Sequence, residues 1–164
     1  MSQKALFLDR DGVINHDPGD YTKNLDEFHI LDGALETMKE WFDAGYKLVI
    51  ITNQAGLAKG LYERHDVDRI HQYLMGRCVA MGFRIEECFY CPHHEGTTGR
   101  CLCRKPGSLL IEKALHRYGL DASLSLMMGD KPRDVDAAEK AGVRGVLIPV
   151  NKGPLRPVDL GLLG

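Results

Sequence analysis

Asp9 and Asp11 stand two residues apart in FLDRDGVIN, directly after a short apolar run at residues 5–8. Residues i and i+2 of an extended segment point the same way, so both carboxylates can reach one cavity. One such carboxylate can attack phosphorus and carry it covalently, which splits a hard displacement into two easier steps, while the other handles a proton. A hard divalent cation with oxygen ligands would relieve the repulsion between these acids and a phosphoryl group. Further on, Thr52-Asn53-Gln54 offers a hydroxyl, amides and backbone N–H groups suited to phosphoryl oxygens. Arg104-Lys105-Pro106 brings together a bidentate fork and a point charge. Gly129-Asp130-Lys131-Pro132-Arg133-Asp134 adds two carboxylates four residues apart. Taken singly, each has a bland reading: a solvated Asp-x-Asp turn, a helix cap, a surface pair of cations, a capping acid.

A second constellation is metal-like. Cys91-Pro92-His93, then seven residues, then Cys101-Leu102-Cys103 places four soft or borderline ligands in a 13-residue window. Tetrahedral Cys3His is a common structural zinc arrangement, and close ligand pairs flanking a short loop are its usual geometry. Buried free thiols, or His94 in place of His93, are the competing readings. The loop ends immediately before Arg104 and Lys105, so zinc there would fix the two cations at the mouth of the site without entering the chemistry. Cys78 fits a helix stripe and reads as core, and Cys88 lies outside the pattern. His16, His29, His65, His71 and His116 read as surface or core residues, with His16 the only one near the site.

The elements that must position these groups follow from alternation of short apolar runs with amphipathic stretches, the pattern of a parallel sheet covered by helices. Strands are predicted at 5–8, 47–51, 85–90, 124–128 and 145–148. Leu35, Met38 and Phe42 fall on one helical face that stops at Gly45. Val67, Ile70, Leu74 and Cys78 stripe a longer helix ending at Gly82. Ser108 reads as the N-cap of a helix running to Gly119, and residues 134–141 as a short helix closed by Gly142. The expected fold class is α/β, a doubly wound and mainly parallel sheet with helices on both faces. Every chemically suggestive residue then follows the C-terminal end of a strand, the edge where open α/β sheets bind ligands. One domain is expected over 1–164, with the zinc loop at 91–103 and an irregular tail at 151–164. No insertion is long enough for a cap domain, so the cleft should be open, walled by residues 15–24 and by the zinc loop.

Composition narrows the partners. The 164 residues carry 21 Lys plus Arg and 23 Asp plus Glu, a formal net charge of −2 at pH 7. That balance leaves no electrostatic footprint for nucleic acid, though a few local cations could still hold a small anion. MSQKALFLDRDG has no long apolar stretch of the signal-peptide kind, and no run approaches the roughly 18 apolar residues of a membrane span. A soluble, cytoplasmic, monomeric protein without membrane or nucleic-acid partners is expected. In that compartment five cysteines point to metal or buried thiols before disulfides.

Jointly, FLDRDGVIN, ITNQ, CRKP and GDKPRD, in this order over residues 4–148, resemble the four signature segments of the haloacid dehalogenase-like phosphohydrolases. The resemblance implies a capless Rossmannoid core in which Asp9 is the nucleophile. Asp11 would act as general acid and then general base, and Thr52 and Lys105 would steady the phosphoryl group. Magnesium would sit on Asp9, the backbone carbonyl of Asp11 and Asp130, with Asp134 orienting that shell. Two families in this group combine Cys-Pro-His with Cys-x-Cys-Arg-Lys-Pro. One removes the C7 phosphate of D-glycero-D-manno-heptose 1,7-bisphosphate in lipopolysaccharide precursor synthesis, and the other hydrolyses histidinol phosphate. TNQAGLAKG, YCPHH and GDK are more similar to the first. Asn53 and Gln54 would then meet substrate, and Arg104 and Lys131 the distal end of a bisphosphate. NHDPGDYTKN departs from the His-Gly-Tyr-type loop of that family, and Asp17 and Asp20 could instead meet the amine of histidinol. A zinc-stabilised binding module with an idle site is the reading from another class, and a nucleic-acid 3′-phosphatase lacks its basic stripe.

Overall fold

The structure, a computed structural model of the chain, describes residues 2–162. Its centre is Lys4–Leu8 (β1), where Ala5, Leu6, Phe7 and Leu8 are fully buried. A parallel strand covered on both faces must be apolar at successive positions, because neither face meets water. β1 pairs on one side with Tyr46–Asn53 (β2) and on the other with Leu126–Gly129 (β4), while Ile85–Cys91 (β3) and Arg144–Leu147 (β5) form the edges. All four pairings are parallel, in the order β3-β2-β1-β4-β5.

Strand alternation divides the core in two. Leu6 and Leu8 face Ala34–Asp43 (α1) and Arg64–Ala80 (α2), whose Leu35, Met38, Trp41, Ile70 and Leu74 are buried in one cluster. Ala5 and Phe7 join a second cluster with Ile111 and Ala114 of Leu109–Arg117 (α4) and Ala137 and Ala138 of Pro132–Lys140 (α5). A four-residue turn of helix, Glu95–Thr98 (α3), lies in the cysteine-rich loop. The doubly wound α/β architecture expected from the sequence is therefore present. No helix among the described residues is long and apolar enough to cross a membrane.

Four local expectations shift. β4 begins at Leu126 rather than 124, because Ala122–Leu124 closes a 3-10 turn in which the Asp121 carboxylate accepts from the Ser123 N–H and hydroxyl. α5 begins at Pro132, two residues early: proline suits the first helical position, and the Asp134 carboxylate accepts from the Lys131 N–H. Ser108 occupies the N-cap position of α4, yet its hydroxyl donates to Glu112 instead of capping the backbone. The tail is docked, not merely irregular. Trp41 Nε1 donates to the Leu155 carbonyl at 2.8 Å, and Pro157–Leu160 form a 3-10 helix against the core. Residues 163–164 of the expected tail lie outside the described residues.

Candidate active site

The tips of β1, β2 and β4 converge on one small cleft of about 110 Å³, bordered by Asp9, Asp11, Asp17, Asp20, Asn53, Gln54, Asp130 and Lys131. Asp9 sits at its floor, its N–H bonded to the Met128 carbonyl at 3.0 Å so that the tips of β1 and β4 are tied together. Lys105, only 2 % exposed, reaches in beneath it. Its ammonium donates to Asp9 Oδ1 at 2.9 Å and the Ile51 carbonyl at 2.7 Å, and lies 2.7 Å from Asp134 Oδ1. Asn53 explains how a loop lysine is placed so closely: Asn53 Oδ1 accepts from the Lys105 N–H and Nδ2 donates to the Lys105 carbonyl, at 3.0 and 3.2 Å. This amide holds Lys105 in place while Asn53 also borders the cleft. Thr52 is buried beside it and accepts from Gln54 Nε2 at 3.0 Å.

One ammonium between two carboxylates leaves an excess of negative charge. Burial, opposed by Lys105 and reinforced by Asp134 and Asp11, pushes the Asp9 carboxyl up to about 7. The same imbalance lifts Lys105 despite its burial, since Asp9 and Asp134 both favour its charged form.

Asp11 is treated in the opposite way. Burial alone would raise it, but Arg10 and hydrogen bonds from Asn15, Arg10 and Gln54 hold it below the usual carboxylate value. Its Oδ1 accepts from Arg10 Nη2 at 2.9 Å, Arg10 Nε at 3.2 Å and Asn15 Nδ2 at 2.9 Å. Its Oδ2 accepts from Gln54 Nε2 alone, at 3.1 Å. Gln54 is itself buried and anchored by the Tyr62 hydroxyl on its Oε1 at 2.7 Å. Its amide N–H groups meet Asp11 and Thr52, and the residue borders the cleft.

Asp130 differs from both. Its side chain is 1 % exposed, and neither carboxylate oxygen has a hydrogen-bond partner; Lys131 Nζ lies 3.4 Å from Oδ2. Burying such oxygens unpaired is costly. Asp9, Asp130 and Asp134 each present an oxygen within 4.8 Å of the others, a hard-oxygen set suited to a divalent cation. Asp134 stands beside the other two with Oδ1 against Lys105 and Oδ2 accepting from the Lys131 N–H. Two glycines make the approach possible. A Cβ on Gly12, whose φ is +85°, would overlap the Asp130 carboxylate, and one on Gly129 would overlap Asp134.

The soft-ligand cluster also assembles. His93 Nδ1 lies 3.4 Å from Cys91 Sγ and 3.3 Å from Cys103 Sγ, and Cys91 Sγ lies 3.6 Å from Cys101 Sγ. All four ligand atoms fall within 4.8 Å of one another, and none of the cysteines is in a disulfide. His94 turns away, its Nδ1 3.1 Å from the Thr97 hydroxyl, so the geometry selects His93.

Three expectations about the surroundings are corrected. Arg104 does not border the cleft: it lines a neighbouring cavity of about 440 Å³ with Cys101 and Lys140, its Nη1 buried without a partner. The zinc loop likewise stands behind Lys105 and contributes no wall, whereas loop residues Asp17, Asp20, Tyr21 and Thr22 do. That loop is pinned by Asn151, which accepts from the Asp17 N–H and donates to its carbonyl at 2.7 and 2.9 Å. His16 is not among the residues that border the cleft, and a second histidine stands close to the Asp-x-Asp segment. His71 Nε2 lies 3.2 Å from Arg10 Nη1. Arg133 also borders the cleft, with its Nε buried and unpartnered. Sequence reading missed Asn15, Tyr62, His71, Arg133 and Asn151; only Arg10, lying between two aspartates, carried a local signal.

Known proteins agree with this geometry. A HAD-hydrolase-like family model matches residues 102–159. The D-glycero-alpha-D-manno-heptose-1,7-bisphosphate 7-phosphatase of Campylobacter jejuni is 38% identical over 93% of this chain and 85% of its own length. The beta-anomer 7-phosphatase of Haemophilus ducreyi is 36% identical over 88% of this chain and 81% of its own. The chain belongs to the heptose-1,7-bisphosphate phosphatase family. A crystal structure of the B. bronchiseptica D,D-heptose 1,7-bisphosphate phosphatase, complexed with magnesium and phosphate, superposes with a TM-score of 0.81 at 34% identity, covering 88% of this chain and 79% of that one. Between the two families weighed from the sequence, these relatives are heptose bisphosphate phosphatases.

Proposed function

We propose that this chain is a phosphatase that removes the C7 phosphate of D-glycero-D-manno-heptose 1,7-bisphosphate, in the supply of lipopolysaccharide precursors. The observation that carries the reading is the pairing of Asp9 with buried Lys105 next to an Asp130 carboxylate that lacks any hydrogen-bond partner. Asp9, Asp130 and the backbone carbonyl of Asp11 would hold Mg²⁺, with Asp134 at its edge. When bound, the ion neutralises carboxylate and phosphoryl oxygens so that an anion can attack an anion.

Asp9 Oδ1 already accepts from Lys105 and the Arg10 N–H, which leaves Oδ2 to attack phosphorus. The bond from phosphorus to the sugar oxygen breaks, and Asp11 delivers a proton to the departing oxygen. Asp11 Oδ2, with a single neutral donor, is the oxygen free for that transfer. A phosphoryl dianion arriving beside it raises the proton affinity that Arg10 otherwise lowers. Water then attacks the aspartyl phosphate, its proton passing to Asp11, and inorganic phosphate leaves. The charge of Lys105 and the backbone at Thr52 steady the phosphoryl oxygens throughout. Lys131, whose side chain is 43% exposed at the rim, is the cation available to the distal phosphate. Cys91, His93, Cys101 and Cys103 would hold a structural Zn²⁺ that fixes the segment leading into Lys105.

Steady-state phosphate release from heptose bisphosphate and from histidinol phosphate, each with and without Mg²⁺, tests the assignment. Magnesium-dependent turnover with a kcat/KM preference for the heptose of at least about a hundredfold is expected, together with loss of about 10³-fold or more in Asp9→Asn. Equal use of the two substrates would refute the substrate, and an active Asp9→Asn would refute the nucleophile.

A further inference from the structure

Arg10 is 0% exposed, yet it carries a charge that no accessible pH removes. Among the described residues its one ion-pair partner is Asp11. Nε and Nη2 both land on Asp11 Oδ1, Cζ lies over the Phe28 ring at 5.6 Å from its centroid, and Nη1 points to His71 Nε2 at 3.2 Å. An arginine nitrogen can only donate, so His71 Nε2 must present its lone pair and the ring hydrogen must sit on Nδ1. Neutral imidazole is the only form that satisfies this contact. His71 projects from the stripe of α2 that buries Val67, Ile70, Leu74 and Cys78. A lone pair is therefore supplied from within an apolar helix face, at the far end of the group that grips Asp11.

We infer that His71 is a positioning residue: from α2 it fixes the Arg10 guanidinium, and through it the Asp11 carboxylate, with Oδ1 pinned and Oδ2 turned to the leaving oxygen. This rests on the reading that Asp11 moves the proton. Without the acceptor, Nη1 is left buried and unpaired, and the guanidinium gains by rotating toward another partner. Asp11 Oδ1 then keeps Asn15 but loses the charged clamp that sets its plane. His71 touches neither substrate nor metal ligands, so the effect must appear in proton delivery and not in binding.

The test compares His71→Leu, His71→Gln and Asp11→Asn, all loaded with Mg²⁺, on a sugar phosphate and on 4-nitrophenyl phosphate. Protonation matters most for a basic leaving oxygen and little for an acidic phenol. kcat/KM reports the step in which that oxygen departs. His71→Leu should lose about tenfold or more on the sugar phosphate and less than about threefold on the aryl phosphate, with KM nearly unchanged. His71→Gln, whose amide oxygen can accept from Arg10, should recover to within about threefold of the parent. Equal losses on both substrates, no loss, or a Gln variant as impaired as Leu would overturn the proposal. If His71→Leu fails to fold, Arg10→Lys, which keeps the charge but loses the fork, must show the same selective loss; an unselective loss or none overturns the proposal. Asp11→Asn is the control for the reading beneath it. Should that variant show no leaving-group selectivity, the proton role of Asp11 fails; should it alone show selectivity, only the link through His71 fails.

Discussion

Removing the charge from Asp9 should stabilise the magnesium-free protein at neutral pH and do so progressively less in acid. The carboxyl is buried beside an ammonium that also serves Asp134, and it is lifted from 3.8 to about 7. A raised folded-state value means that the folded protein binds the proton more tightly than the unfolded chain. The contribution of Asp9 to stability is therefore fully present below 3.8 and is lost as pH rises through about 7. Across that window the shift corresponds to about 4 kcal/mol, taking about 1.4 kcal/mol per unit. Other groups titrate too, so the informative quantity is the difference between the parent and Asp9→Asn, which carries no titrating group at this position. Urea unfolding at about pH 5 and about pH 8, in buffer freed of magnesium but without a chelator that would strip zinc, should show that difference moving by a few kcal/mol in favour of Asp9→Asn at the higher pH. Added Mg²⁺ should reverse the trend in the parent by about 2.7 kcal/mol at a hundredfold excess over its dissociation constant, and should act more weakly on the variant. A difference that stays flat between the two pH values, or a magnesium stabilisation equal in both proteins, would refute the account of Asp9 as a buried carboxylate short of positive charge.

Cys101→Ser should bind well below one zinc per chain and unfold at lower urea, both read from purified protein by metal analysis and denaturation; full stoichiometry would remove Cys101 from the cluster. Lys131→Ala should raise KM for the bisphosphate by about tenfold while leaving 4-nitrophenyl phosphate turnover within about twofold, because a rim cation meets only the distal phosphate. Equal effects on both substrates would return Lys131 to the reacting centre.

Much of this was readable from the chain because the information is local. The apolar runs that become β1 and β2 are short, continuous and followed at once by Asp9 and Thr52, so the sheet edge and its cargo could be placed together. The Cys91, His93, Cys101 and Cys103 cluster was readable for the same reason, its members lying within a 13-residue window. What escaped depends on contacts between distant positions. Arg10 and His71 are 61 residues apart, and Trp41 and Leu155 are 114 apart. No spacing rule joins either pair. The type of Gln54 suits phosphate, but no local pattern ties its amide to Tyr62 and Asp11; the fold alone brings the three together. The start of β4 was misjudged because Leu124, apolar and adjacent to the strand, is used in a turn whose closure rests on Asp121.

The two carboxylates of the Asp-x-Asp pair are alike in sequence and unlike in place, and the difference explains the division of labour between them. Asp11 has a cation of its own, Arg10, buried and in contact with His71 at its other end. With Oδ1 pinned by that cation, Oδ2 is the oxygen available to proton transfer. Asp9 shares Lys105 with Asp134, next to Asp130, so three buried carboxylates face one buried ammonium. The surplus of two negative charges equals the charge of one divalent ion, and among the described residues the one further ion pair to these acids is that of Lys131, 3.4 Å from Asp130 at the rim. A site that balanced its own charges would be more stable when empty, but it would bind a cation and a phosphoryl group less tightly. The deficit of positive charge at Asp9 is thus the feature through which folding stability is exchanged for metal affinity, and Gly12 and Gly129, by letting Asp130 and Asp134 crowd that close, are the residues that permit it.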